Sequence, residues 1–287
     1  MNRIILGGGI SGLICGVLEP SALILTDTIG GVAKTESIAP FMIHFSEKAM
    51  QFLNAIQCPY KLSVCKVGYY YEGKIHDVLP VEFAKEYYIK SRGRMPEPSE
   101  YEAKKKHEGD FLYLDVRLQE LIDCMVGIIE MKRTRIKLCQ IEGISFDRRE
   151  VRTNKGKFLF YNDLISTLPA HIFFSVINRR DIEFLARGKR FEERTASEYD
   201  IKNYDYVYFP EQKIKELRIT KQSSEKYIHE YTWRPLVDEK KEGGIVSYAY
   251  ILEPKKIPKV KGVKFVGRYA EWNDELLIHN VIERLMK

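Results

Sequence analysis

The stretch Ile4-Ile5-Leu6-Gly7-Gly8-Gly9-Ile10-Ser11-Gly12-Leu13 decides the fold of this chain. Its apolar start predicts a short buried strand, and the residues from Ser11 to Leu18 are compatible with a helix. Between them, the glycines have the G-x-G-x-x-G spacing of a dinucleotide-binding turn. Gly7 permits the tight turn, Gly9 lets a pyrophosphate approach the backbone, and Gly12 lets the helix pack closely on the strand. The order strand, glycine turn and helix predicts that the helix N-terminus faces a phosphate.

A second strand and a second glycine pair follow. Ala22-Leu23-Ile24-Leu25 is strand-like, and Asp27 comes just after it, where it is expected to accept hydrogen bonds from a ribose. The interval between Gly12 and Asp27 is shorter than the usual ~20 residues because Pro20 ends the first helix early. Gly30-Gly31 comes next. Taken alone, this pair is equally compatible with an ordinary turn.

Two later segments also combine a short apolar strand with a turn that follows it. In Tyr161-Asn-Asp-Leu-Ile-Ser-Thr167-Leu-Pro169, an apolar strand ends at Ser-Thr and proline starts the exit. Near the C-terminus, Phe265-Val-Gly267-Arg268-Tyr269 precedes a predicted amphipathic helix that Asn273 or Asp274 is expected to cap.

These motifs, in this order, resemble flavoproteins of the amine oxidase, protoporphyrinogen oxidase and UDP-galactopyranose mutase superfamily. The resemblance implies an α/β fold: a Rossmann-like, glutathione-reductase-type FAD-binding domain built from discontinuous segments, with an inserted mixed α+β substrate domain. We expect the FAD-binding domain to comprise residues 1–60, 110–172 and 240–287, and the substrate (cap) domain to comprise 61–109 and 173–239. Ordinary NAD dehydrogenases lack the second glycine pair.

The resemblance also implies which residues contact FAD. Arg268 is expected to pair with pyrophosphate oxygens, and the following helix is expected to stabilise negative charge on the reduced flavin ring. No cysteine lies in a Gly-Gly-Cys setting near the C-terminus, so we expect FAD to be bound noncovalently. Val32 is a departure, because many members have arginine or asparagine there. The predicted cofactor-binding residues are Gly7, Gly9, Ser11, Gly12, Asp27, Gly30, Gly31, Lys34, Thr35, Thr167, Gly267, Arg268 and Leu276.

Three residues are candidates for catalysis. His44 lies near the point where galactopyranose mutases have a Gly-Pro-His-Ile-Phe stretch, although Ala39-Pro40-Phe41 here makes the match partial. Tyr208 belongs to the alternating run of Tyr204, Tyr206 and Tyr208, whose rings are expected to share one face of a strand. Arg218 follows, where the family has an arginine in the substrate domain. A lone histidine among apolar residues is more often a structural group than a catalyst, and sheet packing explains the tyrosines at least as well as a catalytic role.

The amino-acid composition is typical of an ordinary globular protein. The chain has 287 residues, of which 45% are hydrophobic and 30% charged, as in ordinary globular proteins. Five scattered cysteines without a C-x-x-C pair predict neither a disulfide framework nor a metal site, and fit a cytoplasmic location. No apolar stretch approaches the ~18 residues of a membrane span. The net charge of +6 does not by itself establish nucleic-acid binding.

The leading functional hypothesis is an FAD-dependent two-electron oxidation of a small amine or a similar hydride donor. One alternative is redox-neutral flavin chemistry of the galactopyranose mutase kind, with Arg218 or Arg234 binding a diphosphate. Another is flavin-dependent cleavage or oxidation at an amine carried by nucleic acid, with Lys104–Lys106 and Lys255–Lys264 contacting phosphates. A non-catalytic binding module is the least favoured hypothesis. The sequence leaves the oligomeric state open.

Overall fold

The structure is a computed structural model, and it describes residues 2–31, 41–97, 109–132, 134–195, 197–223, 225–233, 246–252, 256–273 and 275–286. Its helices are α1 Ile10–Leu18, α2 Glu47–Ala55, α3 Val81–Arg92, α4 Leu118–Met131, α5 Ala170–Val176 and α6 Ile278–Leu285. Its strands are β1 Arg3–Leu6, β2 Leu23–Thr26, β3 Ile43–His44, β4 Lys61–Cys65, β5 Val67–Tyr71, β6 Lys74–His76, β7 Phe111–Asp115, β8 Arg135–Leu138, β9 Ile141–Ser145, β10 Glu150–Thr153, β11 Phe158–Phe160, β12 Asp163–Ser166, β13 Ala186–Arg194, β14 Tyr206–Tyr208, β15 Glu216–Ser223, β16 Lys226–Trp233, β17 Val246–Leu252 and β18 Val263–Phe265.

A five-stranded parallel sheet contains the first predicted strand at its centre. The strand order is β18-β12-β1-β2-β8, and every neighbouring pair is parallel. Its inner strands are apolar on both sides, as expected when both faces of a parallel sheet are covered. The α/β class with a parallel sheet, predicted from the glycine turn, is therefore confirmed.

Alternate side chains of β1 enter two different cores. Ile5 packs with Ile24 and Ile165 under helices α1, α2, α4 and α6. Ile4 and Leu6 point the other way, into a core that includes α5 and the antiparallel sheet β11-β10-β9. The glycine turn after Leu6 is thus held between two packed layers.

The remaining strands form two further sheets. A seven-stranded sheet has the order β17-β13-β16-β15-β14-β5-β6, and a small antiparallel sheet has the order β3-β7-β4. Strands β5 and β6 form a hairpin within the seven-stranded sheet. Tyr69 and Tyr71 pack on one face of β5 and Tyr70 packs on the other.

The predicted division into two domains places residues 240–252 with the cofactor-binding domain, but strand pairing gives a different boundary. Strand β17 pairs along its length with β13, so Val246–Leu252 belongs to the seven-stranded sheet. The side chain of Arg92 in α3 also donates to the carbonyl of Leu252 at 2.8 Å. With this change, the division into two domains remains a prediction.

Two local predictions are wrong. Tyr204 does not share a face with Tyr206 and Tyr208, because a turn precedes β14 and the strand alternation begins only at Tyr206. The ring of Tyr204 packs with Tyr70 instead, and its hydroxyl donates to Asp77 at 2.8 Å.

The C-terminal helix also begins later than expected. Asn273 accepts a hydrogen bond from the backbone of Glu275 in a local turn, and α6 starts only at Ile278. The side chain of Asn280 accepts from the backbone N–H of Leu277, which closes the first turn of the helix. Asp274 lies outside the described residues.

Among the helices that the structure describes, none has the length and apolar character needed to cross a membrane.

Candidate functional site

The first glycine turn has the geometry that its fingerprint requires. Gly7 has a φ of +100°, a conformation that favours glycine. A Cβ on Gly12 would lie 2.0 Å from the carbonyl oxygen of Gly7, so only glycine lets α1 start this close to β1. A Cβ on Gly9 would meet no heavy atom of the described residues within 4 Å. The turn is therefore tight at its ends and open in the middle.

The open middle lies at the N-terminus of α1. Gly9 is the N-cap residue and has no side chain to cap the helix, so the first backbone N–H groups of α1 are left for another acceptor. A helix start of this kind favours an anion, because the N–H groups and the helix dipole both point towards it.

The second glycine pair lies directly against this turn. The backbone N–H of Gly30 donates to Gly8 at 2.7 Å, and a Cβ on Gly31 would lie 3.1 Å from the Cα of Gly9. Asp27 is exposed just past the end of β2, on the same edge of the sheet. Gly30-Gly31 is thus part of the same site as the first turn.

Thr167 and Gly267 complete this edge. The hydroxyl of Thr167 donates to the carbonyls of Leu6 and Gly7 at 2.9 and 3.1 Å. Gly267 has a φ of +103°, and a Cβ there would lie 2.4 Å from the hydroxyl of Ser11. Motifs that are far apart in sequence therefore meet at the carboxyl ends of β1, β2, β12 and β18. This is the place where open α/β sheets bind their ligands.

Arg268 and Leu276 occupy different environments near Gly267. The guanidinium carbon of Arg268 lies 5.9 Å from the centre of the Tyr269 ring. Glu271 connects the loop to α6, since it accepts hydrogen bonds from the N–H of Gly267 and from Arg284. The side chain of Leu276 is buried in the helix-covered core, which leaves only its backbone for a cofactor contact.

Some predicted residues lie outside the described part of the chain. These are Lys34 and Thr35, the lysine run 104–106, and Arg234. Val32 and Lys255 also lie outside it.

His44 lies in a stack of rings between the small sheet and α6. Its ring is parallel to that of Phe111, with centroids 4.3 Å apart, and stacks on His279 at 5.4 Å. His279 belongs to the first turn of α6, and its Nε2 lies 2.9 Å from the side-chain amide nitrogen of Asn280. Neither Phe111 nor His279 could be identified from the sequence, because no local motif marks either residue.

Tyr208 and Arg218 face each other across two neighbouring strands of the seven-stranded sheet. The guanidinium carbon of Arg218 lies 4.5 Å from the ring centre of Tyr206 and 5.7 Å from that of Tyr208. Tyr206 in turn lies 6.3 Å from Phe111, centre to centre. The three candidate catalytic residues are therefore joined by one continuous set of rings.

A buried ion cluster lies beside these tyrosines. Arg218 Nη2 is 2.7 Å from one oxygen of Glu230, and Lys189 Nζ is 2.6 Å from the other. Burial raises the pKa of Glu230, but the two cations outweigh this effect and hold it at about 2. The cluster forms because Glu230 is opposite Arg218 on β15, and β13 with Lys189 flanks β16 on its other side.

Comparisons in sequence and in structure give different results. No protein-family model matches the chain, and no curated protein matches it in sequence. Solved structures do match in fold. An oxidoreductase from Methanosarcina mazei has a TM-score of 0.70 at 10% identity, covering 100% of this chain and 99% of its own.

Two further structures connect the fold to flavin enzymes. Reduced UDP-galactopyranose mutase matches with a TM-score of 0.67 at 10% identity, covering 98% of this chain and 92% of its own. A flavin-dependent halogenase from Brevundimonas matches with a TM-score of 0.58 at 8% identity, covering 99% and 70%. The resemblance predicted from the sequence motifs thus extends to the fold of these solved structures.

Proposed function

We propose that this protein binds FAD noncovalently and catalyses the two-electron oxidation of an amine or a similar hydride donor. One observation carries the proposal: the first glycine turn, the glycine pair Gly30-Gly31, Thr167 and Gly267 meet at one sheet edge around the open space at Gly9. An NAD site needs only the first glycine turn. Three further segments closing on that turn are better explained by a larger, flavin-containing dinucleotide.

The residues at this edge fit the parts of FAD. The N-terminus of α1 offers N–H groups to the pyrophosphate, and Gly9 leaves room for it. We expect Asp27 to accept hydrogen bonds from the ribose and Arg268 to neutralise phosphate charge. When bound, the flavin supplies the two-electron chemistry.

The chain's own residues provide the surroundings of the reaction. The His44 imidazole, between Phe111 and His279, is partly exposed and is suited to accept the proton released when an amine is oxidised. The rings of Tyr206 and Tyr208 exclude water from the side of the seven-stranded sheet.

The cofactor is tested by release. Purified protein should be yellow, and heat or acid should free a molecule with the mass of FAD. Release of NAD, or flavin that stays with the denatured chain, contradicts the proposal.

The reaction is tested by mixing the yellow protein with candidate amines without oxygen. Loss of flavin colour supports oxidation, whereas no loss across a broad amine panel contradicts it.

A further inference from the structure

We propose that the substrate carries a carboxylate, bound by Lys189 and Arg218 beside the tyrosines of the seven-stranded sheet. This inference rests on the proposed function and specifies its substrate class. Neither Lys189 nor the role of Glu230 was expected from the sequence.

The ion cluster has an excess of positive charge. Two cations share the single carboxylate of Glu230, with one contact to each of its oxygens, at 2.6 and 2.7 Å. Glu230 is ionised throughout the physiological range, since its pKa is held at about 2. These three groups therefore carry one net positive charge in a largely buried position, where a second anion would stabilise it.

The cations keep unused hydrogen-bonding capacity. Arg218 contacts Glu230 through Nη2, and its buried Nε has no hydrogen-bond partner among the residues that the structure describes. A buried N–H donor of this kind costs stability unless something accepts from it. A guanidinium presents its donors in a planar fork, which matches the geometry of a carboxylate.

Exposure shows which members of the cluster an incoming ligand can reach. The side chains of Lys189 and Arg218 are 21% and 19% exposed, whereas that of Glu230 is 3% exposed. Glu230 is thus a buried anchor that positions both cations, and the cations form the accessible surface. A ligand therefore meets positive charge first.

The cluster is also connected to the proposed reaction centre. Arg218 lies over the rings of Tyr206 and Tyr208, and Tyr206 adjoins the ring stack that contains His44. A small molecule with an amine at one end and a carboxylate at the other fits this arrangement. Its carboxylate would bind the cations, and its carbon chain would lie on the tyrosine rings.

The test uses the FAD-bound protein and three probes of similar shape: phenylacetate, its neutral amide phenylacetamide, and phenyl phosphate. Each is titrated while the flavin absorption spectrum is recorded. Phenylacetate should bind at least about tenfold more tightly than the amide, as expected for one charge-assisted hydrogen bond. Equal binding of acid and amide overturns the inference, and tighter binding of phenyl phosphate overturns the choice of carboxylate.

Variants locate the binding to the cluster. Lys189→Met should weaken phenylacetate binding about tenfold and leave phenylacetamide binding unchanged. The matched control is Lys226→Met, which removes a lysine of the same sheet that pairs with Glu193 at 3.0 Å and is 55% exposed. The control should bind both probes normally. An unchanged preference for the acid in a folded, yellow Lys189→Met protein overturns the assignment.

Failure of this inference differs from failure of the proposed function. A colourless protein without flavin refutes the proposed function. A yellow protein that does not distinguish acid from amide refutes only the carboxylate site. Because that comparison uses the unmodified protein, it remains decisive even if Lys189→Met does not fold.

Discussion

Replacing Gly9 with alanine should separate cofactor binding from folding. The backbone of Gly9 has φ −69° and ψ 179°, an extended conformation that alanine adopts without strain. In the part of the chain that the structure describes, the added methyl group would meet no heavy atom within 4 Å. Losing glycine's flexibility in the unfolded chain should therefore stabilise the cofactor-free protein by about 0.4–1 kcal/mol.

The same methyl group should weaken FAD binding. It occupies the space through which the pyrophosphate is expected to approach the turn, and so displaces the phosphates from the N–H groups of α1. We expect affinity for FAD to fall about a hundredfold, which is about 2.8 kcal/mol of binding free energy. A bound ligand adds folding stability in proportion to the logarithm of its affinity. With FAD present at saturating concentration, Gly9→Ala should therefore be less stable than the parent protein, although it is more stable without FAD.

Two measurements test this prediction: urea unfolding of the cofactor-free protein, and titration of that protein with FAD followed by flavin fluorescence. The control is Gly127→Ala in α4, where an added Cβ also meets nothing within 4 Å. As a helix-interior replacement it should stabilise the protein by about 0.5–1 kcal/mol and leave FAD affinity unchanged. If Gly9→Ala binds FAD as tightly as the parent protein, the cofactor does not occupy this turn.

The remaining predictions concern three other residues. Gly12→Ala places a Cβ 2.0 Å from the Gly7 carbonyl oxygen. Urea unfolding should therefore show that the free energy of unfolding falls by about 1–3 kcal/mol, even without FAD. Arg268→Ala should weaken FAD retention about tenfold with little change in the circular dichroism spectrum, and unaltered retention would make Arg268 structural. The two cations lower the pKa of Glu230 from its ordinary value of 4.5 to about 2 in the folded protein, so its contribution to folding stability is present above pH 4.5 and lost as the pH falls towards 2. Unfolding between pH 5 and pH 2 should show that loss, about 3 kcal/mol, and Glu230→Gln should have a flatter profile over this range.

The glycine turn could be predicted because its requirements are local. Gly7 needs a positive φ, and Gly12 needs close contact between the start of the helix and a carbonyl five residues earlier. Both follow from spacing within one short segment. The apolar alternation that assigns Ile4 and Ile5 to opposite faces is equally local. Sequence alone was therefore sufficient to predict the parallel sheet and the tight glycine turn at its carboxyl edge.

The ion cluster could not be predicted, because it depends on strand register. Lys189, Arg218 and Glu230 lie on three strands that become neighbours only after the seven-stranded sheet forms. An irregularity between Glu216 and Arg218 also changes which residues of β15 face β16. No pattern in the chain indicates that shift. The contact between His44 and His279 is hidden for the same reason, since it joins a short edge strand to the last helix.

The parallel sheet combines strands from across the chain, and this has a consequence for biosynthesis. Thr167 bonds to Leu6, 161 positions earlier, and β18 joins the same sheet from near the C-terminal end. A nascent chain that has emerged only as far as β12 has the glycine turn after β1 but lacks Gly267, which lies against Ser11 at the same edge of the sheet. Tight cofactor capture should therefore occur only after β18 and α6 have docked. The yellow colour of the protein would then report that the whole sheet has assembled.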